Sequence, residues 1–360
     1  VPPNSTLWPR DPHTAAKHEI LRRYLGAWFP KLRWARRVLF VDGFAGPGEY
    51  EGGEPGSPRI ALDTAVSHRH DLSSCELLFY FIEERGDRCE HLVQVVESMA
   101  LPPHVKVEVE QGTFADSFGR ALTGIEESQK TLAPALVMVD PFGVKGLPMA
   151  IMKRIAGQAR SEILVSFMYE SMSRFLGSHE FEPHLDDLFG TGDWRAALAM
   201  SGSDKRTFLL DLYQQQLSRA GFLYVTAFEL RDGGNRTEYF LIHATKSKDG
   251  LSAIKEAMWK TDPSGRYQFS DATAGRGQLT LLDSAPFDSL QERLLRSFAG
   301  RGTVPMSELL DFVLVETPFR ETHLKQQALR PLEQAKKITV LRPLNRRSNY
   351  WGEDVAVTFA

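Results

Sequence analysis

At 360 residues the chain is long for one domain, and its 42% hydrophobic and 25% charged content is that of an ordinary globular protein. A net charge of -3 gives no overall basic field of the kind that announces a nucleic-acid binder. No apolar run approaches the about eighteen residues of a membrane span, so no membrane association is expected. The two cysteines, Cys75 and Cys89, have neither disulfide nor metal-cluster spacing, and no signal-peptide pattern opens the chain. A cytoplasmic location is the expectation, with no metal.

Residues 1–12 are Pro-rich and expected to run extended over the surface. The spacing of Ile20, Leu21, Tyr24, Leu25 and Trp28 predicts a helix over His13–Arg33, which also carries Lys17 and His18. Val38–Gly48 (VLFVDGFAGPG) then reads as a buried parallel strand ending in Asp42 and a turn rich in glycine (Gly43, Gly46, Gly48). Such a turn lets the backbone approach a nucleotide-type ligand at the carboxyl edge of a sheet. No Gly-Lys-Ser/Thr follows, and the strict GxGxxG is absent, so it is neither a Walker loop nor a standard dinucleotide site.

A helix is expected from Pro58 to Ala65, and a second strand over Leu77–Ile82 ends in Glu83. An acid there is placed for ribose hydroxyls; alternatively, Glu83 and Glu84 simply favour the amino end of the next helix. Val105–Glu110 reads as the third strand, and Gly112–Asp116 turns into a helix, making Thr113, Phe114 and Ala115 candidates to touch an adenine ring. The fourth strand, Ala135–Val139, ends in Asp140-Pro141-Phe142-Gly143, and the fifth spans Ile163–Phe167. Phe181–Arg219 reads as helical, with a cap over the strand ends expected at about 170–220. Phe222–Leu230 and Thr237–Ala244 flank RDGGNR, a hairpin signal.

A domain is expected over 13–260, closing with a helix at Gly250–Lys260, then a linker or extension over 261–287 and a separate unit over 288–360. Helices Ser289–Phe298, Met306–Val315 and Glu321–Lys336, with strands near Ile338–Leu341 and Val355–Phe359, predict a winged helix with a two-stranded ribbon. Residues 291–347 hold eleven Lys/Arg against six Asp/Glu, a balance of +5. Arg320, Lys325, Arg330, Lys336, Lys337, Arg346 and Arg347 make up most of it. That charge suits either a phosphate-binding face or a protein-docking surface.

Asp42, Phe44, Gly46 and Gly48 resemble the D-x-F-x-G-x-G signature of class I S-adenosylmethionine (SAM)-dependent methyltransferases. The implied fold is a Rossmann-like, seven-stranded α/β sheet ending in an antiparallel hairpin, plus the winged helix. Lys17-His18, FVDGFAGPGEYEGG…GSP, Glu83, and DPFG with the Phe240–Thr245 strand together resemble the three-Cys-motif partner proteins, a family assigned as bacterial SAM-dependent methyltransferases. Its name implies a companion protein of radical-SAM type. The front half is also similar to ribosomal RNA adenine methyltransferases with a Lys-His pair, in which the lysine meets SAM. The resemblances imply SAM as cofactor, held by Lys17, Asp42, Phe44, Ala45, Gly46, Gly48, Glu83, Thr113 and Phe114.

The amine-methylating enzymes of that kind carry [DNS]-P-P-[YFW], whereas DPFG is similar to tRNA guanine dimethyltransferases. The catalytic group expected is therefore Asp140, Pro141 and Phe142, with Asp140 accepting from an exocyclic base amine and Phe142 stacking on the base. The plainer alternative is a strand-end Asp that caps the next turn. With Phe142 after Pro141 there is no cysteine for covalent cytosine chemistry. The function expected is methyl transfer to nucleic acid, RNA or DNA. Its rivals are a non-catalytic docking subunit for the companion and a nucleotide-binding oxidoreductase, the latter disfavoured by the terminal hairpin.

Overall fold

Each apolar run becomes a strand bounded by turn-forming or polar residues. In the computed structural model these are β1 (Arg37–Asp42), β2 (Glu76–Glu83), β3 (Val105–Gln111), β4 (Ala135–Val139) and β5 (Ser161–Phe167). All five are parallel neighbours in the order β3-β2-β1-β4-β5. The hairpin β6 (Tyr224–Arg231) and β7 (Thr237–Thr245) then completes β5-β7-β6, with β7 antiparallel to both. This is the class I methyltransferase fold, with its hairpin where the sequence places it. A short β8 (Gln268–Ser270) adds to the β6 edge. The structure describes residues 4–262, 268–270, 287–347 and 350–359.

Helices cover both faces because side chains alternate along strands buried on both sides. Val41, Val137, Val139, Ile163 and Val165 face one layer, α4 (Phe114–Glu127) and α5 (Met149–Gly157). Phe40, Phe79 and Phe81 cluster on the other face, reached by Phe29 of α1 (Pro12–Leu32). Helices α2 (Ser57–Val66) and α3 (Gly86–Glu97) follow β1 and β2. Pro30 lacks the N–H that would serve the Gly26 carbonyl within α1, and that carbonyl accepts from His68 Nε2 at 3.0 Å instead.

The expected cap is corrected by the structure. Of that segment, α6 (Tyr169–Phe175) lies at the strand ends. Helices α7 (Glu182–Phe189) and α8 (Gly202–Ala220) pack through Leu185, Phe189, Leu209, Tyr213 and Leu217 into the sheet-face core beside Phe167. The helical reading over Phe181–Arg219 breaks because Gly190 adopts a left-handed conformation that ends α7. Helix α9 (Lys248–Thr261) follows β7. The described residues divide into two compact units, the first ending at Ala257 but taking in Phe269 and Ser270 as well, and the linker expectation over 261–287 lies mostly outside the described residues.

In the second unit α10 (Asp288–Phe298), β9 (Thr303–Pro305), α11 (Met306–Glu316), a third helix, β10 (Ile338–Leu341) and β11 (Ala356–Phe359) form a winged helix. Its sheet has three strands, β10-β11-β9, where the sequence suggests two. A three-residue strand is too short to register as alternation. The third helix is interrupted as well: α12 (Glu321–His323), a π-turn over Leu324–Leu329, then α13 (Arg330–Gln334). Pro331 supplies no N–H to the Gln327 carbonyl, which accepts from Gln291 Nε2 at 3.1 Å. Phe298 stacks on Phe359 at 5.4 Å at the centre of this core.

Candidate active site

The strand order reverses between β1 and β4, and ligands of open α/β sheets sit in that crevice. Asp42 and Asp140 leave these two strands side by side, since Asp42 pairs with Met138 and Gly43 N donates to the Met138 carbonyl at 2.9 Å. The glycine-rich loop is pinned from below. Ala45 N donates to Ile82 O at 2.9 Å, and Gly46 N to Glu83 Oε2 at 2.8 Å. Gly43 is required because a Cβ would lie 2.3 Å from the Phe114 ring, and Gly46 because its φ is +64°.

The loop faces a cavity of about 310 Å³. Of the residues singled out in the sequence, Lys17, Phe44, Ala45, Gly46, Gly48, Asp140, Pro141 and Phe142 line it together. Lys17 forms an ion pair with Asp140 and lies 5.3 Å from the Tyr239 ring centroid. Burial raises the Asp140 carboxyl, the Lys17 ammonium is the chief group opposing it, and the balance leaves that carboxyl below its ordinary value. His18, buried next to this pair, is pushed down to about 3 by desolvation and then by the Lys17 charge, so it is neutral.

The other four are not cavity walls. Asp42 is fully buried beneath the loop, accepts from Phe44 N at 3.2 Å, and is pushed up to about 7 by burial. Glu83 accepts from Gly46 N and, at 2.9 Å, from Arg85 N. Thr113 caps α4, its Oγ1 accepting from Asp116 N at 3.2 Å, and Phe114 is core, 6.1 Å from the Phe44 ring.

Trp8, Arg174, Glu238 and Tyr239 line the cavity unanticipated, and Tyr50 and Ser57 do so from within the EYEGG…GSP run, where the resemblance gives them no role. Trp8 meets both Tyr50 and Phe142 edge-on at 5.6 Å, and Arg88 stacks over it at 4.5 Å. The segment carrying Trp8 is tied down by Arg85 to Asn4 O at 2.9 Å, Thr6 to Asp87 at 2.6 Å, and Glu51 N to Trp8 O at 3.0 Å. It therefore lies over α3 and the loop. A lone Trp in a Pro-rich lead was the available signal. Phe142 stays 40% exposed.

Within the winged helix, Arg330, Lys336, Lys337, Arg346 and Arg347 are exposed, whereas Arg320 and Lys325 are half-buried. Arg346 and Arg347 stand on the wing between β10 and β11, with Arg346 4.6 Å over the Tyr350 ring.

Residues 268–345 match the family model described as the GMT-like wHTH domain. No curated protein matches the chain. Among solved structures, the chain is similar to Trm1 from Pyrococcus horikoshii in complex with S-adenosyl-L-methionine. That match has 12% identity and a TM-score of 0.40, covering 70% of this chain and 61% of that one. The O-methyltransferase from Bacillus cereus in complex with SAH gives 12% identity and a TM-score of 0.36, over 66% and 83%. Cofactor-bound Rv0187 from MTB gives 17% and 0.37, over 67% and 85%. The chain thus spans less than two thirds of the Trm1 chain.

Proposed function

We propose that the chain is a SAM-dependent methyltransferase acting on an exocyclic amine of a nucleic-acid base. The observation that carries this reading is the meeting of Asp140, ionised against Lys17, with the glycine-rich loop and Phe142 in one cavity. The residues fit the cofactor: the backbone at Gly46 has no Cβ, and a Cβ built there meets nothing nearer than Trp8 at 3.7 Å. Phe44 to Gly48 would line its amino-acid end, with Lys17 offering its carboxylate the donors left over from Asp140. Glu83 supports the loop and would take the ribose hydroxyls, with Asp42, Thr113 and Phe114 behind it. Bound SAM supplies an electrophilic methyl sulfonium.

Asp140 accepts a hydrogen bond from the target amine, so the nitrogen presents its lone pair to the methyl group. The pull of Lys17 makes Asp140 a weak base before transfer. Once the nitrogen carries the methyl group and positive charge, its proton is acidic enough to leave through Asp140. Pro141 fixes the backbone turn, and Phe142, exposed beside Trp8, offers a face for the base.

The exposed cations of the winged helix support nucleic acid as the substrate class. The resemblance to three-Cys-motif partner proteins adds a radical-SAM-type companion. A second reading, a non-catalytic docking subunit, is favoured by one observation: Glu83 already accepts from two backbone amides. Calorimetry with SAM and S-adenosylhomocysteine, then nucleoside mass spectrometry of RNA and DNA from a deletion strain and its parent, decides between them. Cofactor binding with a missing methylated nucleoside supports the enzyme. No cofactor binding overturns it.

A further inference from the structure

A second cavity, of about 390 Å³, opens at the amino edge of the sheet, where β4 and β5 begin and β7 ends. With strands of five to seven residues, it lies about 20 Å from the glycine-rich loop. Trp34 stands on its rim 60% exposed, with the Arg160 guanidinium 4.4 Å from the indole centroid. Arg33 and Arg36 flank Trp34 and are exposed. Lys31 pairs with Asp249 at 3.4 Å and Arg37 with Glu76, but among the described residues no carboxylate pairs with Arg33, Arg36 or Arg160.

The floor is different in kind. Tyr24 and Glu162 line the cavity and are hydrogen-bonded to each other, and His243 Nε2 lies 3.1 Å from both. A carboxylate at the bottom repels phosphate while accepting from a base amine. The Arg160 guanidinium at the mouth attracts phosphate, and Arg33 and Arg36, close to Trp34 in the chain, are exposed cations. The Trp34 indole on the rim carries Arg160 over its ring and, with 60% of its surface exposed, leaves area for a base to stack. Base inward, phosphates outward, is the arrangement this polarity selects. An acidic protein would use the rim but leave both the floor and the indole idle.

We propose that this cavity and its rim are a second binding site for single-stranded nucleic acid, with a base stacked on Trp34 and phosphates held by Arg33, Arg36 and Arg160. The inference rests on nucleic acid as the substrate class of the proposed function. The site would hold a strand that extends away from the reacting base and is distinct from the winged-helix cations.

The test uses the full chain and short fluorescent RNA and DNA single strands, followed by anisotropy across a salt series from about 50 mM upward. Trp34→Ala should weaken binding by roughly tenfold or more. Arg33→Gln with Arg160→Gln should flatten the log–log salt slope by about 1.4. S-adenosylhomocysteine affinity, measured by calorimetry, should not change in either variant. If the unaltered protein binds the strands and both variants bind equally well with the same slope, this site is overturned and the nucleic-acid substrate stands. If the unaltered protein binds no strand at low salt, both readings fall. Poly-glutamate binding as tightly as the oligonucleotides would also overturn the site.

Discussion

Lys17 and Asp140 meet across 123 residues of sequence, one from the helix ahead of the sheet and the other from the end of its fourth strand. Neither is placed by its neighbours in sequence. The fold puts the ammonium against the carboxylate in the crevice where the strand order reverses, and the pairing favours the ionised form of Asp140.

The pair predicts a pH-dependent stability. Asp140 is held below its ordinary value, so its contribution is present above about pH 4 and is lost as pH falls through the lowered value. Lys17→Met leaves a buried carboxylate without its cation and should cost about 3 kcal/mol near neutrality. Burial should then raise the Asp140 carboxyl, so the deficit shrinks as the solution is acidified. Urea melts from neutral to acidic pH check this. A deficit equal at every pH would leave the pair no electrostatic role.

Asp42 carries the opposite sign. Burial pushes it up to about 7, so the folded state holds a proton that the unfolded chain has released, and stability falls as pH rises from about 4 to about 7. Asp42→Asn should remove that slope, gaining on the order of 3 kcal/mol relative to the parent across the window. Thermal melts of both proteins at several pH values measure the difference. Parallel curves would show that Asp42 does not titrate there.

Glu83→Ala should destabilise the chain by about 1–3 kcal/mol, because the Gly46 and Arg85 amides lose their acceptor. Sequence reasoning offers Glu83 either to ribose hydroxyls or to the amino end of the next helix, and neither reading ties it to the glycine-rich loop. The buried Gly46 amide and the part-buried Arg85 amide make the local backbone depend on it as well. S-adenosylhomocysteine affinity should fall with stability, and Glu83→Gln should restore part of both. Unchanged melting with lost affinity would return Glu83 to a purely ligand-facing role.

On the winged helix, replacing Arg346 and Arg347 together should flatten the salt dependence of oligonucleotide binding by about one to two log–log units. Both are exposed on the wing, so the fold should hold. An unchanged slope, with loss of companion binding when residues 288–360 are removed, would make this unit a docking module.

The elements that could be read from sequence are those with local causes. β4 matches at both ends because Pro134 precedes it and Asp140 stops it. The hairpin is legible because Gly233, Gly234 and Asn235 sit between two β-rich runs, and Asn235 does take a positive φ of 60°. What escapes is what depends on distant packing. β9 has three residues, the π-turn answers to Pro331, and α7 and α8 look amphipathic whichever surface they cover. In the candidate site the loop is legible, but not that Asp42 and Phe114 lie behind it, nor that Trp8 lies across it. Those are relations between elements, and no spacing encodes them.

Helix α1 has a mechanical consequence. Lys17 and Tyr24 are two turns apart on the same face, about 10 Å along the axis. Lys17 grips Asp140 toward the carboxyl edge of the sheet, while Tyr24 grips Glu162 beside His243 toward the amino edge. The helix is thus a strut fastened at two polar rivets along the strand direction of the sheet. Sliding it to relax one fastening strains the other. A ligand that stiffened the helix at one end would bear on the other, and by thermodynamic reciprocity any such coupling would be equal in both directions.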